Sequence, residues 1–410
     1  MPRAPSGTVP SVIVAGGGPV GVVSALAAAR AGFDVTLLET AGEVDRNPRA
    51  ATTHPSTLEM IDRVGLIDRF IAEGLVARHF QFWDRETGEK IAEFDHELLR
   101  NDARFPFVVQ TEQHKLAAMG MDALRSMPNA TVRQGAQLVA FAQDADGVDA
   151  TVTTPEGEEH LRADWLIGAD GGRSTVRKGL GIEFEGYTWP ERFIVLTVLD
   201  DMQALIGCAK RVYFAGRAGE WANLFKVAGD DGRGRWRAVF PTRVDETDEQ
   251  ALSDAGAMAR LQGLHPNPGG YDLVHRNLYN VHQRVAARFR VGRVFLAGDS
   301  GHVNNPIGGL GLNFGIHDAT DLIDTLSAHV FHGAPEGSLD GYERRRRTLN
   351  VEFVQRQTVE NKKRLEETDP AVRRKRLDEL RATAADPAKA RAFLLRSSLI
   401  DSVREAARMG

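Results

Sequence analysis

One glycine-rich segment near the beginning of the chain constrains the fold more than any other. It opens with a short apolar run rich in β-branched residues, 11–15, which is typical of a strand buried on both faces. Glycines then follow in the spacing G-x-G-x-x-G at Gly16, Gly18 and Gly21, and the Ala- and Leu-rich segment after them predicts a helix. A second apolar run ends in Glu39, about 20 residues after Gly18. This order of strand, glycines, helix, strand and acid predicts a Rossmann-like dinucleotide-binding unit.

Each residue of this motif has a physical task. Gly16 permits a tight turn, Gly18 lets the backbone approach a pyrophosphate, and Gly21 lets the helix pack closely on the strand. The amino terminus of the helix then faces the phosphates, and the carboxylate of Glu39 can accept a hydrogen bond from an adenosine ribose. The alternative, a glycine-rich turn in some other α/β protein, gives no reason for an acid at position 39.

Composition limits the classes of function. With 410 residues, 26% charged and 42% apolar, the chain is long enough for two or three domains. A net charge of −5 gives no reason to expect nucleic-acid binding. The single cysteine, Cys208, excludes an internal disulfide framework and a thiolate metal cluster, and we expect it in the core. Because neither a signal peptide nor a run of membrane-spanning length is recognisable, we expect a cytoplasmic protein without membrane binding.

The rest of the chain alternates between helical and strand patterns. Helices are predicted at 57–64, from 113 to about 126, from 173 onward, at 313–328, and throughout the charge-dense tail from 342. Strands are predicted as a hairpin around 80–89, a β-meander over 131–161, buried strands at 163–170 and 291–299, and a strand-rich region with members at 193–199, 211–214, 221–227 and 235–240. The fold class is therefore α/β.

Three separated motifs carry a family resemblance. They are Gly16-x-Gly18-x-x-Gly21, Asp170-Gly171 and Gly298-Asp299, and the stretch 298–313 is the most diagnostic. In this order they resemble the FAD-dependent group A aromatic hydroxylases, the family with the p-hydroxybenzoate hydroxylase fold. The resemblance spans about 11–330 and is weaker between 182 and 275. It implies a discontinuous FAD-binding domain (1–75, 101–181 and 282–341) with an inserted β-meander, a mainly β substrate domain (76–100 and 182–281) and a C-terminal helical region (342–410).

The resemblance also implies which residues bind FAD. Beyond the first motif and Glu39, the matching positions place the ribityl or ribose hydroxyls at Asp299 and the isoalloxazine along the backbone of 308–311. The N–H groups of Leu312 and Asn313 would face the pyrimidine carbonyl of the flavin. The cofactor-binding set is Gly16, Gly18, Gly21, Glu39, Arg49, Gln110, Asp170, Asp299, Gly309, Gly311, Leu312 and Asn313. The resemblance implies that Asp170 bridges FAD and the approaching nicotinamide cofactor, and the alternative is a helix N-cap or turn aspartate.

The implied chemistry is that of a single-component monooxygenase. NADH or NADPH reduces FAD, dioxygen adds at the flavin C4a position, and the hydroperoxide transfers one oxygen atom to a small aromatic or heteroaromatic, phenol-like ring. No second G-x-G-x-x-G occurs, so the nicotinamide cofactor is expected to bind transiently, and the sequence does not choose between NADH and NADPH. Two alternatives stay open: halogenation, although the Trp-x-Trp-x-Ile-Pro segment of flavin halogenases is absent, and a non-catalytic FAD-bound ligand-binding protein.

Signals for the substrate side are weaker. His275 or Tyr279 is the hypothesised catalytic base, because both precede the third FAD segment. Asn304-Asn305-Pro306-Ile307 stands where the family often has a Pro-Pro or similar pair, and the Asn pair would lie near the reactive side of the flavin, so Asn305 and Pro306 are expected at the pocket. The further pocket candidates are the strand-borne aromatic and polar residues Phe82, Tyr213, Trp221, Arg237 and His282.

Other features of the sequence are given structural interpretations. We expect no metal at Asp95-His96-Glu97, because adjacent residues rarely face one ion, and His302 is expected to be structural. The basic runs 344–347 and 373–376 are interleaved with acids, so they predict a solvated helical face in a monomer or homodimer.

Overall fold

The computed structural model of the chain describes residues 9–47, 51–216 and 220–410. Its strands are β1 (Ser11–Ala15), β2 (Asp34–Glu39), β3 (Thr52–Thr53), β4 (Leu75–Ala77), β5 (His79–Asp84), β6 (Lys90–Asp95), β7 (Val108–Gln110), β8 (Ala130–Gln134), β9 (Gln137–Gln143), β10 (Val148–Thr154), β11 (Gly157–Ala163), β12 (Trp165–Gly168), β13 (Phe184–Val198), β14 (Arg211–Ala215), β15 (Ala222–Val227), β16 (Arg235–Pro241), β17 (Leu273–Ala286), β18 (Arg290–Val291), β19 (Val294–Leu296) and β20 (His302–Val303). Its helices are α1 (Pro19–Ala31), α2 (Pro55–Arg63), α3 (Ile67–Ala72), α4 (Gln113–Arg125), α5 (Thr175–Gly179), α6 (Met202–Ile206), α7 (Asp248–Leu252), α8 (Asp254–Leu264), α9 (Leu310–His332), α10 (Leu339–Leu349), α11 (Arg356–Leu365), α12 (Pro370–Ala385), α13 (Pro387–Ser397) and α14 (Ile400–Arg408). A π-helical segment, Asn350–Gln355, connects α10 to α11.

A six-stranded sheet confirms the predicted Rossmann-like unit. Its order is β18-β19-β12-β1-β2-β8, and all neighbours are parallel except β18 and β19. Helix α1 begins directly after Gly18 and ends at Gly32, whose left-handed conformation (φ 103°) closes the helix. Apolar side chains of the sheet, α1, α4 and α9 form the largest core cluster.

Parallel strands bring the three sequence motifs together. The glycines of the first motif, Asp170 and Asp299 follow β1, β12 and β19, which are neighbours in the six-stranded sheet. Since the carboxyl ends of parallel strands meet at one edge, residues about 130 to 280 positions apart lie at one end of the sheet. Ligands of open α/β sheets bind at this edge.

The predicted meander is confirmed as the three-stranded antiparallel sheet β11-β10-β9. Its predicted beginning was wrong. Residues from 131 to 134 belong to β8, which pairs in parallel with β2 and extends the Rossmann-like sheet. Short strands with similar apolar content do not reveal from sequence which sheet they join.

An eight-stranded sheet forms the mainly β part of the fold. Its order is β20-β17-β13-β16-β15-β14-β5-β6, antiparallel except between β14 and β5. One face packs against α7 and α8 around Trp236 and Phe240. The other packs against the segment at Ile307 and the C-terminal helices α11–α13. Helices α7 and α8 were not predicted from the sequence, because α8 buries only Ala257 and Leu261 and has almost no apolar stripe.

The tail is helical, as predicted. No helix in the described part of the chain is long and apolar enough to cross a membrane. The division of the chain into domains at the boundaries above stays a prediction.

Candidate active site

A groove of about 480 Å³ opens at the carboxyl edge of the six-stranded sheet. Gly16, Gly18, Glu39 and Asp170 line it, together with residues of α4 and the meander. The first motif, Glu39 and the Asp-Gly motif therefore share one cavity, which is the arrangement that a dinucleotide needs.

The glycines fit the role assigned to them from the sequence. Gly16 has a φ of 105°, and a Cβ there would lie 2.4 Å from the Ala169 carbonyl oxygen. A Cβ on Gly21 would lie 1.8 Å from the Gly16 carbonyl oxygen, so helix and strand are in backbone contact. A Cβ on Gly18 would meet no atom within 4 Å. Gly16 and Gly21 are thus required by the protein itself, whereas Gly18 leaves the space that a pyrophosphate would fill.

Glu39 is fixed at the wall of the groove. Its Oε2 accepts a hydrogen bond from the Gly17 N–H at 2.7 Å, and its Oε1 accepts one from the Ala41 N–H at 2.8 Å. These bonds leave each carboxylate oxygen with further acceptor capacity toward a ribose hydroxyl.

Asp170 makes the contacts of a helix cap. Its Oδ2 accepts hydrogen bonds from the N–H groups of Thr175 (2.7 Å) and Val176 (3.1 Å), and its Oδ1 accepts one from the Ser174 hydroxyl at 2.6 Å. Ser174 is the N-cap residue of α5, and Asp170 accepts from the first N–H groups of that helix, so its contacts are those of a turn aspartate before the helix. A role for Asp170 between FAD and the nicotinamide cofactor stays a prediction.

The third FAD segment begins α9. Gly309 is its N-cap with a φ of 69°, and Gly311 and Leu312 lie in the first turn, where backbone N–H groups lack intrahelical acceptors. The Asn313 side chain binds the backbone of the segment 52–54. Its Oδ1 accepts from the His54 N–H at 2.8 Å, and its Nδ2 donates to the Thr52 carbonyl at 2.8 Å.

Gln110, Asp299 and Arg49 complete the predicted cofactor set. The Gln110 Oε1 accepts from the Thr52 hydroxyl at 2.6 Å, and its buried Nε2 has no partner among the described residues. An unpartnered buried donor beside this segment fits a cofactor contact. Asp299 lies exposed on the turn Gly298–Ser300, directly after β19. Arg49 lies outside the described residues.

A second, aromatic cavity lies between the eight-stranded sheet and α11 and α13. Its volume is about 30 Å³. Phe82 stacks on Tyr213 with ring centroids 5.1 Å apart, and Phe94 stacks on Phe393 at 4.4 Å just behind the wall. The lining residues are Phe80, Phe82, Arg211, Tyr213, Ile307, Gly308, Leu310, Gln357, Asn361, Arg364, Leu365, Phe393 and Ser397. Because Gly308 belongs to the predicted flavin segment, this aromatic cavity borders the predicted cofactor site.

Arg211 is the most buried charge in the aromatic cavity, with 5% of its surface exposed. Its Nη2 donates to the Tyr213 hydroxyl at 2.7 Å and to the Gly308 carbonyl at 3.2 Å. The His54 imidazole also contacts that carbonyl, through Nε2 at 3.0 Å. Burial and then the charge of Arg211 lower the pKa of His54 well below its usual value, so His54 is neutral at pH 7 and its Nε2 is the donor.

Of the substrate and catalytic residues proposed from sequence, Phe82 and Tyr213 line the aromatic cavity and the others do not. Trp221 is fully buried, packs edge-on against Phe193 and donates to Glu366 Oε1 at 2.8 Å, so it joins the sheet to α11. The buried Asn305 shapes its own loop by accepting from the Ile307 N–H at 2.8 Å and donating to the Thr358 carbonyl. These contacts give Trp221 and Asn305 structural roles. Pro306 is exposed.

His275 and Tyr279 lie on β17, pairing with Thr197 and Phe193 of β13. Four residues along a strand span about 13 Å, so the two side chains cannot both accept the same substrate proton. Burial raises the pKa of Tyr279, which opposes deprotonation, and burial followed by the charge of Arg237 lowers the pKa of His275. Neither residue lines the aromatic cavity, and we do not retain Tyr279 as a base.

Replacing Tyr279 by Phe tests whether Tyr279 acts as the catalytic base. We expect kcat to change less than about threefold, because no described residue hydrogen-bonds the Tyr279 hydroxyl. Tyr213→Phe is the matched comparison. It removes an acceptor of the buried Arg211, so we expect kcat/KM to fall about 10-fold or more. A large loss of kcat in Tyr279→Phe with Tyr213→Phe unaffected would restore the original hypothesis.

Three residues of the aromatic cavity were not predicted from the sequence: Arg211, Arg364 and Phe393. Arg211 carried one available signal, since it is the charged first residue of the otherwise apolar strand Arg211–Ala215. No comparable signal marks Arg364 or Phe393, because both lie in helices of mixed polarity.

Comparisons with known proteins show which family the chain is similar to. The family model described as FAD binding domain matches residues 10–357. The para-nitrophenol 4-monooxygenase of Pseudomonas sp. (strain WBC-3) is 35% identical over 395 residues, which are 95% of each chain. The 6-hydroxy-3-succinoylpyridine 3-monooxygenase HspB of Pseudomonas putida (strain DSM 28022 / S16) is 32% identical over 364 residues, covering 88% of this chain and 90% of the relative. The crystal structure of p-nitrophenol 4-monooxygenase PnpA from Pseudomonas putida DLL-E4 superposes with a TM-score of 0.88 at 33% identity, covering 94% of this chain and 97% of PnpA.

Proposed function

This chain belongs to the FAD-dependent group A aromatic hydroxylases, and from that premise we propose that it hydroxylates a small, single-ring phenol or hydroxypyridine. It is a single-component monooxygenase that uses NAD(P)H and dioxygen. Halogenation and a non-catalytic role are not favoured, because the relatives are named as monooxygenases.

The groove and the third motif hold the cofactor. Gly18 would give the pyrophosphate room, Glu39 would accept from the ribose, and the N–H groups at the start of α9 would face the flavin ring. When bound and reduced by NAD(P)H, FAD supplies the activation of dioxygen and the transfer of one oxygen atom to the ring. The N–H groups at the α9 terminus and its dipole stabilise negative charge placed there.

The chain's own contribution on the substrate side is to bind, orient and exclude water. The aromatic walls stack on a substrate ring, and the Arg211–Gly308 hydrogen bond attaches the sheet to the flavin segment. An engineered cavity of about 150 Å³ binds benzene, so a ring enters the 30 Å³ aromatic cavity only if lining side chains move apart. Closure around the ring would then keep water from the reacting centre.

The aromatic cavity beside Gly308 is the single observation that carries the proposal. The names of the relatives, which act on a nitrophenol and on a hydroxylated pyridine, support the same ring class. Location in the cytoplasm and a monomeric or homodimeric state belong to the proposal as sequence-based expectations.

The proposal is tested by the rates of NADH and NADPH oxidation by the FAD-loaded protein. The panel is nitrophenols, hydroxybenzoates, aminobenzoates and hydroxypyridines, with oxygen uptake and hydrogen peroxide followed together. We expect at least one compound to accelerate oxidation at least about 10-fold without equal peroxide release. If acceleration always comes with stoichiometric peroxide, or never occurs, the proposed substrate class is wrong.

A further inference from the structure

We propose that His54 is a positioning residue of the flavin site: together with Arg211 it holds the Gly308 carbonyl oxygen, and it thereby raises the midpoint potential of bound FAD. The inference rests on the proposed function, because it takes the flavin ring to lie along the backbone of 308–311.

The peptide that joins Gly308 to Gly309 is held at both ends. Its carbonyl oxygen accepts from His54 Nε2 at 3.0 Å and from Arg211 Nη2 at 3.2 Å, and its N–H donates to the Pro306 carbonyl at 2.9 Å. A carbonyl oxygen has two lone pairs, so the two donors fill its capacity. Because both flanking residues are glycines, with φ values of 110° and 69°, the peptide plane could rotate at little backbone cost. The hydrogen bonds therefore fix its orientation.

The Gly309 carbonyl is also bonded to a side chain. It accepts from Asn313 Nδ2 at 2.5 Å, and Asn313 Oδ1 accepts from the His54 N–H at 2.8 Å, so the same two segments are joined again. The first-turn N–H groups of α9, in contrast, lack intrahelical acceptors. With both glycine carbonyl oxygens bonded to the protein, the segment keeps those N–H groups for a ring placed along it.

The orientation of the Gly308 carbonyl matters for the charge of the flavin. Reduction adds two electrons and one proton to bound FAD, so one negative charge remains on the ring. The N–H groups and the dipole at the start of α9 stabilise negative charge there. A carbonyl oxygen turned toward the ring would oppose that charge, because the oxygen is the negative end of its dipole. Holding the Gly308 carbonyl on the protein side therefore favours reduction.

The other contacts of the His54 side chain do not account for it. His54 is 1% exposed, and its Nδ1 has no hydrogen-bond partner among the described residues. Because Nε2 donates to Gly308, Nδ1 carries the lone pair, and a buried acceptor without a donor lowers stability. His54 is also the N-cap residue of α2, yet its side chain makes no cap hydrogen bond. The hydrogen bond to the flavin segment is therefore what this imidazole contributes.

The test is the midpoint potential of the FAD-loaded protein, measured by anaerobic reduction with dithionite beside a reference dye and without substrate. His54→Leu should shift the reduction equilibrium at least about 10-fold toward oxidised FAD, which is about 30 mV for a two-electron couple. His54→Asn should give the same shift, because its amide is too short to reach Gly308, and asparagine is a favourable N-cap that supports folding. His54→Gln places an amide N–H near the position of Nε2 and should restore most of the potential. Because burial lowers the pKa of His54, these substitutions remove a donor and no charge.

His96→Leu is the matched control. His96 is also 1% exposed, burial lowers its pKa to about 4, and its Nδ1 contacts the Arg78 carbonyl at 2.7 Å, outside the flavin segment. This substitution should lower the melting temperature as His54→Leu does and leave the midpoint potential unchanged. The Kd for oxidised FAD should change less than about threefold in each variant, because the lost stabilisation concerns the reduced ring.

The outcomes separate the inference from the proposed function. Unchanged potentials in His54→Leu and His54→Asn, or an equal shift in His96→Leu, would overturn the inference and leave the hydroxylase intact. The expected shifts in a protein that hydroxylates no ring of the panel would support the inference and refute the proposed reaction. A protein that does not bind FAD would refute both.

Discussion

Gly18→Val is expected to give a folded protein that no longer retains FAD. In the structure a Cβ at Gly18 meets nothing within 4 Å, so the side chain fits the protein and projects into the groove. A bound pyrophosphate would have to occupy that space, and we expect FAD affinity to fall at least about 100-fold, or ~2.7 kcal/mol. Gly18 is also the N-cap of α1, so valine should lower stability slightly.

The measurement is FAD binding by flavin fluorescence, with thermal melting recorded without FAD. Gly337→Ala is the matched control, because Gly337 lies in a turn with open space around it and lines no described cavity. Gly21→Ala should differ from both. It collides with the Gly16 carbonyl and should impair folding itself. A folded Gly18→Val protein with unchanged FAD affinity would contradict the placement of the pyrophosphate.

Asp318→Ala is expected to lower the free energy of unfolding by about 3–5 kcal/mol. Asp318 is fully buried in α9, where its Oδ2 contacts His302 Nε2 at 2.6 Å and its Oδ1 accepts from Arg346 Nε at 2.7 Å. Its Oδ2 also accepts from the Gly298 N–H at 3.0 Å, which holds the third motif in place. Without the carboxylate, the Arg346 guanidinium, 2% exposed, becomes an unpaired buried charge.

Chemical denaturation at several pH values checks this prediction. Burial alone would raise the pKa of Asp318, but His302 and Arg346 outweigh burial and lower it. A depressed carboxylate pKa stabilises the folded state above the unfolded value of about 3.9, and that contribution is lost as pH falls through the folded pKa. The difference between wild type and Asp318→Ala should therefore shrink below about pH 4.

Asp324→Ala is the matched control on the same helix. Its exposed pair with Arg63 should contribute less than about 1 kcal/mol. Equal effects of the two substitutions would contradict the role assigned to the buried cluster of Asp318, His302 and Arg346.

The cofactor side was predictable from sequence because its signals are local. Gly16 has a φ of 105° and backbone contact with Ala169, so glycine is required there whatever the rest of the chain does. Strand, turn and helix then follow within about 30 residues. Asp170 is the exception on the cofactor side. Its carboxylate both accepts from the first N–H groups of α5 and lines the groove, so the sequence does not reveal which of the two roles it has.

The aromatic cavity was not predictable in this way. Its walls come from five separate stretches, 80–82, 211–213, 307–310, 357–365 and 393–397, which meet only through tertiary packing. Strand alternation places Arg211 and Tyr213 on one face, but it does not reveal what that face packs against. Trp221 and Tyr279 carried the same signal as Tyr213, yet they pack against Phe193 away from the cavity.

The most direct test of the central claim is the fate of dioxygen in the reaction. The FAD-loaded enzyme would be given NAD(P)H and isotopically heavy dioxygen with the panel compound that most accelerates oxidation, and the product would be examined by mass spectrometry. The account predicts a ring-hydroxylated product carrying one heavy oxygen atom. A product oxygen derived from water, or an unaltered ring with all oxygen recovered as peroxide, would contradict it.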